Sequence, residues 1–161
     1  MDSTAKIVPL AHLGAWREGH RQAGRRLVAT NGCFDLLHAG HVAYLEAARR
    51  EGDLLLVGLN GDDSVRQLKG PHRPLNPEQD RARVLAALGC VDAVAIFPGK
   101  RATEFLALAR PDIYVKGGDY TLATIDPDER RAVEAGGGRI AFIPFLPGRS
   151  TTGLLEKILR L

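Results

Sequence analysis

One apolar run limits the folds open to this chain more than any other feature. Residues 53–60 read D-L-L-L-V-G-L-N, with turn-forming residues at both ends of the run. A strand with one face in water would alternate apolar and polar side chains, and this run does not alternate. It therefore predicts a strand that is buried on both faces, which is typical of a parallel sheet with helices on both sides.

Short apolar runs alternate with amphipathic segments along the rest of the chain. This alternation predicts an α/β fold, a Rossmann-like three-layer sandwich around a five-stranded parallel sheet. The predicted strands are residues 26–30, 53–60, 93–97, 113–116 and 139–145. The predicted helices are residues 10–21, 42–50 with a start near Ala39, 62–68, 77–88, 103–109, 127–135 and 151–160.

Two of these helices carry clear start signals. Asn76 precedes a proline and is three residues from Gln79, which predicts an N-cap and a helix that buries Val84 and Leu85. Ser150 is the predicted cap of the last helix, which should turn Ile158 inward together with its leucines.

Length and composition indicate an ordinary globular domain. The chain has 161 residues, which suit a single domain: a covering helix within residues 1–24 and the main body in residues 25–161. Its net charge is only +3 and its arginines are scattered, so we expect anionic small molecules rather than nucleic acid as partners. Two cysteines in no paired motif, and no apolar run long enough to cross a bilayer, predict a cytoplasmic protein without a membrane partner.

The turn after the first strand is the strongest candidate for chemistry. Residues 30–41 read T-N-G-C-F-D-L-L-H-A-G-H and lead from a strand into a helix, a junction where open α/β sheets bind ligands. The helix N-terminus favours phosphate, and His38 and His41, three residues apart, should project to the same side. Gly32 and Gly40 allow a ligand to approach the backbone. By themselves the two histidines also fit a zinc site lacking its other ligands, or ordinary structural positions.

Two other segments follow predicted strands and carry cations. Lys69 lies in a loop with two prolines, and by itself it reads more simply as an exposed lysine. Residues 148–152 read G-R-S-T-T and begin the last helix, which by itself reads as a plain capping motif. No G-x-G-x-x-G follows a strand, and no P-loop or G-x-S-x-G motif is present, which disfavours dehydrogenases, P-loop NTPases and serine hydrolases.

The combination G-C-F-D-x-x-H-A-G-H and S-T-T at the start of the last helix resembles the nucleotidylyltransferases that carry an H-x-G-H motif. The resemblance implies the strand order 3-2-1-4-5, which places the histidine turn at the point where the strand order reverses. It implies that the histidines hold nucleotide phosphates while a substrate phosphate attacks the α-phosphorus. It also implies that Lys69 closes over the phosphates.

The candidate site residues follow from the motifs and this resemblance. The catalytic candidates are His38, His41 and Lys69. The nucleotide-binding candidates are Thr30, Asn31, Gly32, Phe34, Gly40, Lys116, Gly117, Arg149, Ser150, Thr151 and Thr152. The candidates for the second substrate are Asp35, Arg73, Asp119 and Tyr120, with Lys116 also suited to a sugar phosphate. Asp35 could orient a histidine or a metal-bound water, and a bond to its own turn backbone is an equal alternative. No protein metal ligands are predicted, and Mg²⁺ is expected to bind mainly through the ATP phosphates.

Four segments together resemble more closely the adenylyltransferases that make ADP-activated manno-heptose: V-A-T-N-G-C-F-D-L-L-H-A-G-H, L-K-G-P with R-P-L-N-P-E, V-K-G-G-D-Y and P-G-R-S-T-T. This similarity implies transfer of AMP from ATP to D-glycero-D-manno-heptose 1-phosphate, for lipopolysaccharide core or a related surface glycan. It implies a stand-alone nucleotidyl domain without the sugar-kinase half of the bifunctional enzymes, and a homodimer or larger homo-oligomer. Residues 121–135 depart from the pattern of those enzymes.

Two alternatives stay open at this point. One is a cytidylyltransferase acting on glycerol phosphate or a similar alcohol phosphate, because it would share both signatures. The other is a regulatory module that binds nucleotide in the same pocket without turnover. Pyrophosphate release with a panel of nucleotides and phosphates distinguishes all three.

Overall fold

The computed structural model describes residues 2–118 and 120–161. Two short 3₁₀ turns, Ser3–Lys6 and Leu10–His12, precede the regular elements. The strands are β1 (Leu27–Gly32), β2 (Leu54–Asn60), β3 (Ala93–Phe97), β4 (Ile113–Gly117) and β5 (Arg139–Ile143). The helices are α1 (Leu13–Gln22), α2 (Ala39–Arg49), α3 (Asp62–Lys69), α4 (Glu78–Ala87), α5 (Thr103–Ala109), α6 (Pro127–Ala135) and α7 (Thr151–Ile158).

The five strands form one parallel sheet in the order β3-β2-β1-β4-β5, as predicted. Strand β2 is buried along its whole length, which confirms the interpretation of its unbroken apolar run. Strands β2 and β3 lie on one side of β1, and β4 and β5 lie on the other. The carboxyl end of β1 is therefore at the switch point of the sheet, where a crevice opens between the connections that run in opposite directions. The histidine turn begins at this end.

Side chains that alternate along β1 and β2 feed two separate cores. Leu27 and Leu56 belong to one core, whereas Val28 and Leu55 belong to the other, on the opposite face of the sheet. A fully buried leucine contributes roughly 2 kcal/mol by removal of apolar area from water. The first core also includes Leu13, Phe105 and Val133, from α1, α5 and α6, and the second includes Leu45 and Leu85, from α2 and α4.

The N-terminal residues pack on the sheet. Ile7 forms a single parallel bridge with Val94 of β3, and Leu13 at the start of α1 is fully buried. Trp16, one turn later, is partly buried against the same core. Helix α1 therefore packs on the sheet through Leu13 and Trp16. Among the described residues, no helix has the length and apolarity needed to cross a membrane.

Helix α4 differs from its prediction. It begins at Glu78 with Pro77 in the N-cap position, and Asn76 makes no capping bond. Its buried face carries Arg81, Ala82, Leu85 and Ala86, whereas Val84 is half exposed. The buried face is rotated away from Val84 because the Arg81 guanidinium points inward to backbone carbonyl oxygens. Residues 82, 85 and 86, which follow Arg81 at helical spacing, are then buried with it.

Helix α7 also differs in one respect. Ser150 caps it as predicted, since its Oγ accepts a hydrogen bond from the backbone N–H of Gly153 at 3.0 Å. However, the helix ends at Ile158, whose side chain is half exposed, and none of its residues is fully buried. Its N-terminus contacts the segment before the histidines, where Thr151 lies against Leu36.

Candidate active site

A cavity of about 480 Å³ lies at the carboxyl ends of the strands, within the size range of small-molecule sites. The crevice collects most of the residues that the sequence singled out. Predicted residues that line it are Asn31, Gly32, Phe34, Asp35, His41, Lys69, Arg73, Lys116, Gly117, Tyr120, Thr151 and Thr152. Other residues in its lining are Cys33, Tyr44, Asn60, Leu68, Lys100, Glu129 and Phe145.

The two histidines occupy the first turn of α2. The rings of His38 and His41 stack with centroids 3.9 Å apart, so both face the same side. His38 is the N-cap residue, and its Nδ1 accepts a hydrogen bond from the N–H of Gly40 at 3.1 Å. A Cβ on Gly40 would lie 2.9 Å from the His38 ring and 3.0 Å from Cβ of Arg149. Glycine at this position therefore lets the histidine turn and the G-R-S-T-T segment approach each other.

Burial favours the neutral form of both imidazoles. Burial, with a contribution from the neighbouring His38, lowers the pKa of His41 to about 4. Burial, followed by the charge of Arg149, also lowers the pKa of His38. The buried Nδ1 of His41 has no hydrogen-bond partner among the described residues. A phosphate oxygen at this helix end would receive N–H bonds and would favour the protonated imidazoles by its negative charge.

Helix α2 is anchored to the sheet directly behind the histidines. The hydroxyl of Tyr44 lies 2.8 Å from Oγ1 of Thr30 and donates to the carbonyl oxygen of Val115 at 3.1 Å. Thr30, a predicted nucleotide-binding residue, is fully buried and does not line the cavity. Its hydroxyl instead contacts Tyr44. Burial raises the pKa of Tyr44 far above its ordinary range, and the hydroxyl stays protonated. Tyr44 thus connects the histidine helix to β1 and β4.

Asp35 organises the loop that follows α3. Its Oδ2 accepts from Nε of Arg73 at 2.7 Å, and its carboxylate also accepts the backbone N–H groups of Leu75 and Asn76. The side-chain amide of Asn76 donates back to the carbonyl oxygen of Asp35, which explains why Asn76 does not cap α4. Burial would raise the pKa of Asp35, but the N–H donors of Asn76 and Leu75 and the Arg73 charge outweigh it and lower the pKa.

Arg81 of α4 supports the same region, and it is not among the predicted site residues. Its guanidinium is buried and donates to the carbonyl oxygens of Cys33 at 2.7 Å and Asn60 at 2.9 Å. Cys33 directly follows β1, and Asn60 is the last residue of β2. It also pairs with Asp62 at 2.7 Å. One side chain therefore fixes the carboxyl ends of two neighbouring strands relative to each other.

The N-terminus of α7 reaches the same cavity next to the histidine turn. Oγ1 of Thr151 lies 3.4 Å from the carbonyl oxygen of Leu36, within the segment that precedes the histidines. Thr151 and Thr152 line the cavity, whereas Ser150 serves as the cap and Arg149 is exposed beside His38. Two helix N-termini, each with unpaired backbone N–H groups, thus lie on one crevice.

The carboxyl end of β4 adds a hydrogen-bonded group of polar residues. Oδ1 of Asn31 accepts from the Tyr114 hydroxyl at 2.6 Å and from Nζ of Lys116 at 3.2 Å. Glu129 of α6 lies against the same two groups. The Lys116 ammonium also lies 4.9 Å from the centroid of the Tyr120 ring. Asp119, predicted to bind the second substrate, lies outside the described residues.

The donor set of the cavity suits an anion better than a protein-bound metal. Among residues 2–118 and 120–161, no group of three or more His, Cys, Asp or Glu side chains could hold an ion. Lys69 and Lys100 are exposed at the rim. Burial raises the pKa of Cys33, so its thiol does not supply an activated nucleophile.

The chain is similar to parts of longer proteins. Bifunctional protein HldE from Trichlorobacter lovleyi is 51% identical over 158 residues, which are 98% of this chain and 32% of that protein. Bifunctional protein HldE from Syntrophotalea carbinolica is 54% identical over 142 residues, 88% of this chain and 29% of that protein. The chain thus spans about a third of the length of these relatives.

Solved structures share the fold. The lipopolysaccharide core biosynthesis protein from Thermoplasma volcanium superposes with a TM-score of 0.62 and 26% identity, over 76% of this chain and 98% of that one. Pantoate-β-alanine ligase from Francisella tularensis, with a TM-score of 0.57 and 14% identity, supports the fold alone. The family described as cytidylyltransferase-like matches residues 29–137, which include the histidine turn, β2 and β4. This match covers more than half of the chain and confirms the predicted resemblance, so the chain belongs to the cytidylyltransferase-like family.

Proposed function

We propose that this chain transfers AMP from ATP to D-glycero-D-manno-heptose 1-phosphate and releases ADP-heptose and pyrophosphate. The observation that carries the proposal is the convergence of the first turn of α2, the N-terminus of α7 and several cations on one cavity, which His41 lines and against which His38 stacks through the His41 ring. The similarity to bifunctional HldE proteins over nearly the whole chain supports the same reaction class. The heptose acceptor rests on the four matching motifs described above.

The reaction needs positioning and charge neutralisation rather than an activated side chain. An oxygen of the acceptor phosphate forms the new bond to the α-phosphorus, and the bond from the α-phosphorus to the bridging oxygen breaks as pyrophosphate leaves. His38 and His41 are suited to donate to the α- and β-phosphate oxygens where negative charge grows. The backbone N–H groups at the start of α7 and the hydroxyls of Thr151 and Thr152 suit the other side of the polyphosphate.

The exposed lysines suit the leaving group. Lys69 is the last residue of α3 and stands at the mouth of the cavity, next to Gly70, which has a φ of +102°. Such a glycine allows the chain to turn sharply there. The flexible lysine side chain can follow the charge of pyrophosphate as the bond breaks. Lys100 stands at the same rim and supplies a second cation.

Mg²⁺ fits this site as a companion of ATP. Within the described part of the lining, the carboxylates are those of Asp35 and Glu129, and both already accept hydrogen bonds from protein donors. The ion would be held by phosphate oxygens and water, which it prefers, and would supply neutralising charge to the triphosphate. The residues of this chain then orient the complex. We also propose that the protein is cytoplasmic and forms a homo-oligomer. Sedimentation velocity tests the oligomeric state.

The test is a substrate panel that follows pyrophosphate. ATP or CTP is combined with the heptose 1-phosphate, with another sugar 1-phosphate or with glycerol 3-phosphate, and His41→Ala is the matched negative control. ATP with the heptose phosphate should give the largest kcat/KM. Preference for CTP and glycerol phosphate would replace the proposal by the cytidylyltransferase alternative. Tight nucleotide binding without pyrophosphate from any pair would indicate the regulatory module.

A further inference from the structure

Glu129 is a buried carboxylate in the wall of the cavity, and it is not among the predicted site residues. It lies on α6, within residues 121–135, the segment that departs from the pattern of the heptose enzymes. Its side chain is 6% exposed, and its two oxygens face different partners. Oε1 accepts the backbone N–H of Ala102 at 3.0 Å, and Oε2 faces the Tyr114 hydroxyl at 3.1 Å and Nζ of Lys116 at 3.4 Å.

We propose that Glu129 is a positioning residue for the acceptor phosphate and that it acts through the Lys116 ammonium. The inference rests on the proposed function, because it assumes that a phosphorylated acceptor enters this part of the cavity. Lys116 is the group that contacts the acceptor. Glu129 sets where that ammonium points.

The hydrogen-bond partners of the Lys116 ammonium show which way its remaining donor points. A lysine ammonium has three N–H donors. In Lys116, one faces Oδ1 of Asn31 at 3.2 Å and another faces Oε2 of Glu129 at 3.4 Å. The remaining donor is thereby directed away from both acceptors. Lys116 lines the cavity beside the Tyr120 ring, 4.9 Å from its centroid, and its side chain is only 12% exposed. An acceptor oxygen bound next to that ring is therefore within reach of the remaining donor.

The acceptor must also be held in a fixed position relative to the nucleotide. The hydrogen bonds among Asn31, Tyr114 and Lys116 provide the connection between the two binding regions. Asn31 belongs to β1, the strand that leads into the histidine turn, and its Oδ1 is shared by Tyr114 and Lys116. Lys116 is therefore tied to β1 through Asn31 and to α6 through Glu129. A loosened ammonium would bind the acceptor phosphate less well but would leave the histidines where they are.

The two oxygens of Glu129 allow its structural and positioning roles to be separated. The bond from Ala102 to Oε1 links α6 to the start of α5, and an amide oxygen can accept the same bond. Glu129→Gln therefore keeps that contact and removes the negative charge from the Lys116 side. Glu134→Gln is the matched control, because Glu134 is on the same helix but is exposed and pairs with Arg130.

The experiment is a double-mutant cycle read as KM for the acceptor. Glu129→Gln and Lys116→Met should each raise this KM on the order of 10-fold, the scale expected for a charge-assisted hydrogen bond, with the KM for ATP changed by less than about threefold. The double variant should match Lys116→Met within about twofold, since Glu129 has no ammonium left to direct. Glu134→Gln should match the wild type. Thermal unfolding of each variant reports whether it folds.

The outcomes separate this inference from the proposed function. Independent, multiplicative effects of the two substitutions, or an unchanged acceptor KM in a folded Glu129→Gln protein, would overturn the inference while the reaction stands. If the wild type uses a different phosphorylated acceptor, the proposed substrate is wrong and the cycle is run with that acceptor. Coupling between residues 129 and 116 would then support the inference, and its absence would overturn it.

Discussion

Replacing His41 with asparagine should change how the stability of the protein depends on pH. Burial and the neighbouring His38 lower the pKa of His41 from 6.5 to about 4 in the folded chain. Between these two values, the unfolded chain binds a proton at this position that the folded chain does not bind. The free energy of unfolding should therefore be independent of this group above pH 6.5 and should fall as the pH is lowered from 6.5 towards 4.

The magnitude follows from the size of this difference. A pKa lower by roughly 2.5 corresponds to roughly 3 kcal/mol, at 1.36 kcal/mol for each pKa unit. Because the imidazole is only partly buried, solvent screening reduces this value, and we expect about 1–2 kcal/mol. The unfolding free energy of the wild type should drop by this amount relative to His41→Asn across the acid window.

Urea unfolding of both proteins at about pH 7, 5.5 and 4.5 measures the effect, because the two proteins differ only at this residue. His72→Asn, in the exposed loop before Arg73, shows what loss of a surface histidine does. A difference between wild type and His41→Asn that stays constant over this range would refute the reasoning. It would mean that His41 is not held neutral by its surroundings.

Three further substitutions test other parts of the site. His41→Ala should lower kcat by about 10²- to 10³-fold with the fold retained, and an unchanged steady-state rate would remove this imidazole from the mechanism. Tyr44→Phe should cost about 1–2 kcal/mol in urea unfolding, because it leaves the buried Thr30 hydroxyl without its partner; a neutral change would contradict the anchoring role. Asp35→Asn should cost about 3 kcal/mol and speed proteolysis within residues 70–76, since it breaks a buried pair with Arg73; equal cleavage rates would show that the loop is held otherwise.

The sheet and the histidine pair could be predicted because both depend on local patterns. Strands β2 and β3 are apolar runs between turn residues, so their positions follow from the sequence. His38 and His41 are three residues apart at a helix start, and helix geometry alone brings such rings together. The strand order is non-local, and it followed from the resemblance rather than from any residue pattern.

Arg81 and Glu129 could not be predicted because their partners are distant in sequence. Both lie in helices rich in charge, where charged residues normally face water. Arg81 is buried because it meets carbonyl oxygens of Cys33 and Asn60, which are 48 and 21 residues away. Asn76 was assigned as a cap for the same reason: the competing partner, Asp35, is 41 residues away and invisible to a local pattern.

The cations inside the site are arranged differently from those at its rim, and this difference explains the roles of Arg81 and Glu129. Cations gathered to bind a polyphosphate repel one another before the ligand arrives. Below and within the cavity, each inner cation has its own carboxylate: Arg73 with Asp35, Arg81 with Asp62, and Lys116 with Glu129. These pairs fix the inner cations in place at little electrostatic cost.

The rim differs, since Lys69 and Lys100 are exposed there and neither takes part in an ion pair with the described residues. Attraction of the nucleotide from a distance should therefore come mainly from the rim, and orientation of the bound substrates from the inner pairs. It follows that neutralising Lys69 or Lys100 should reduce the association rate of ATP and its dependence on salt. Neutralising Lys116 should leave that rate nearly unchanged and weaken the bound state of the acceptor. A stopped-flow salt series that gave all three variants the same reduction in association rate would show that the inner carboxylates do not neutralise their partners.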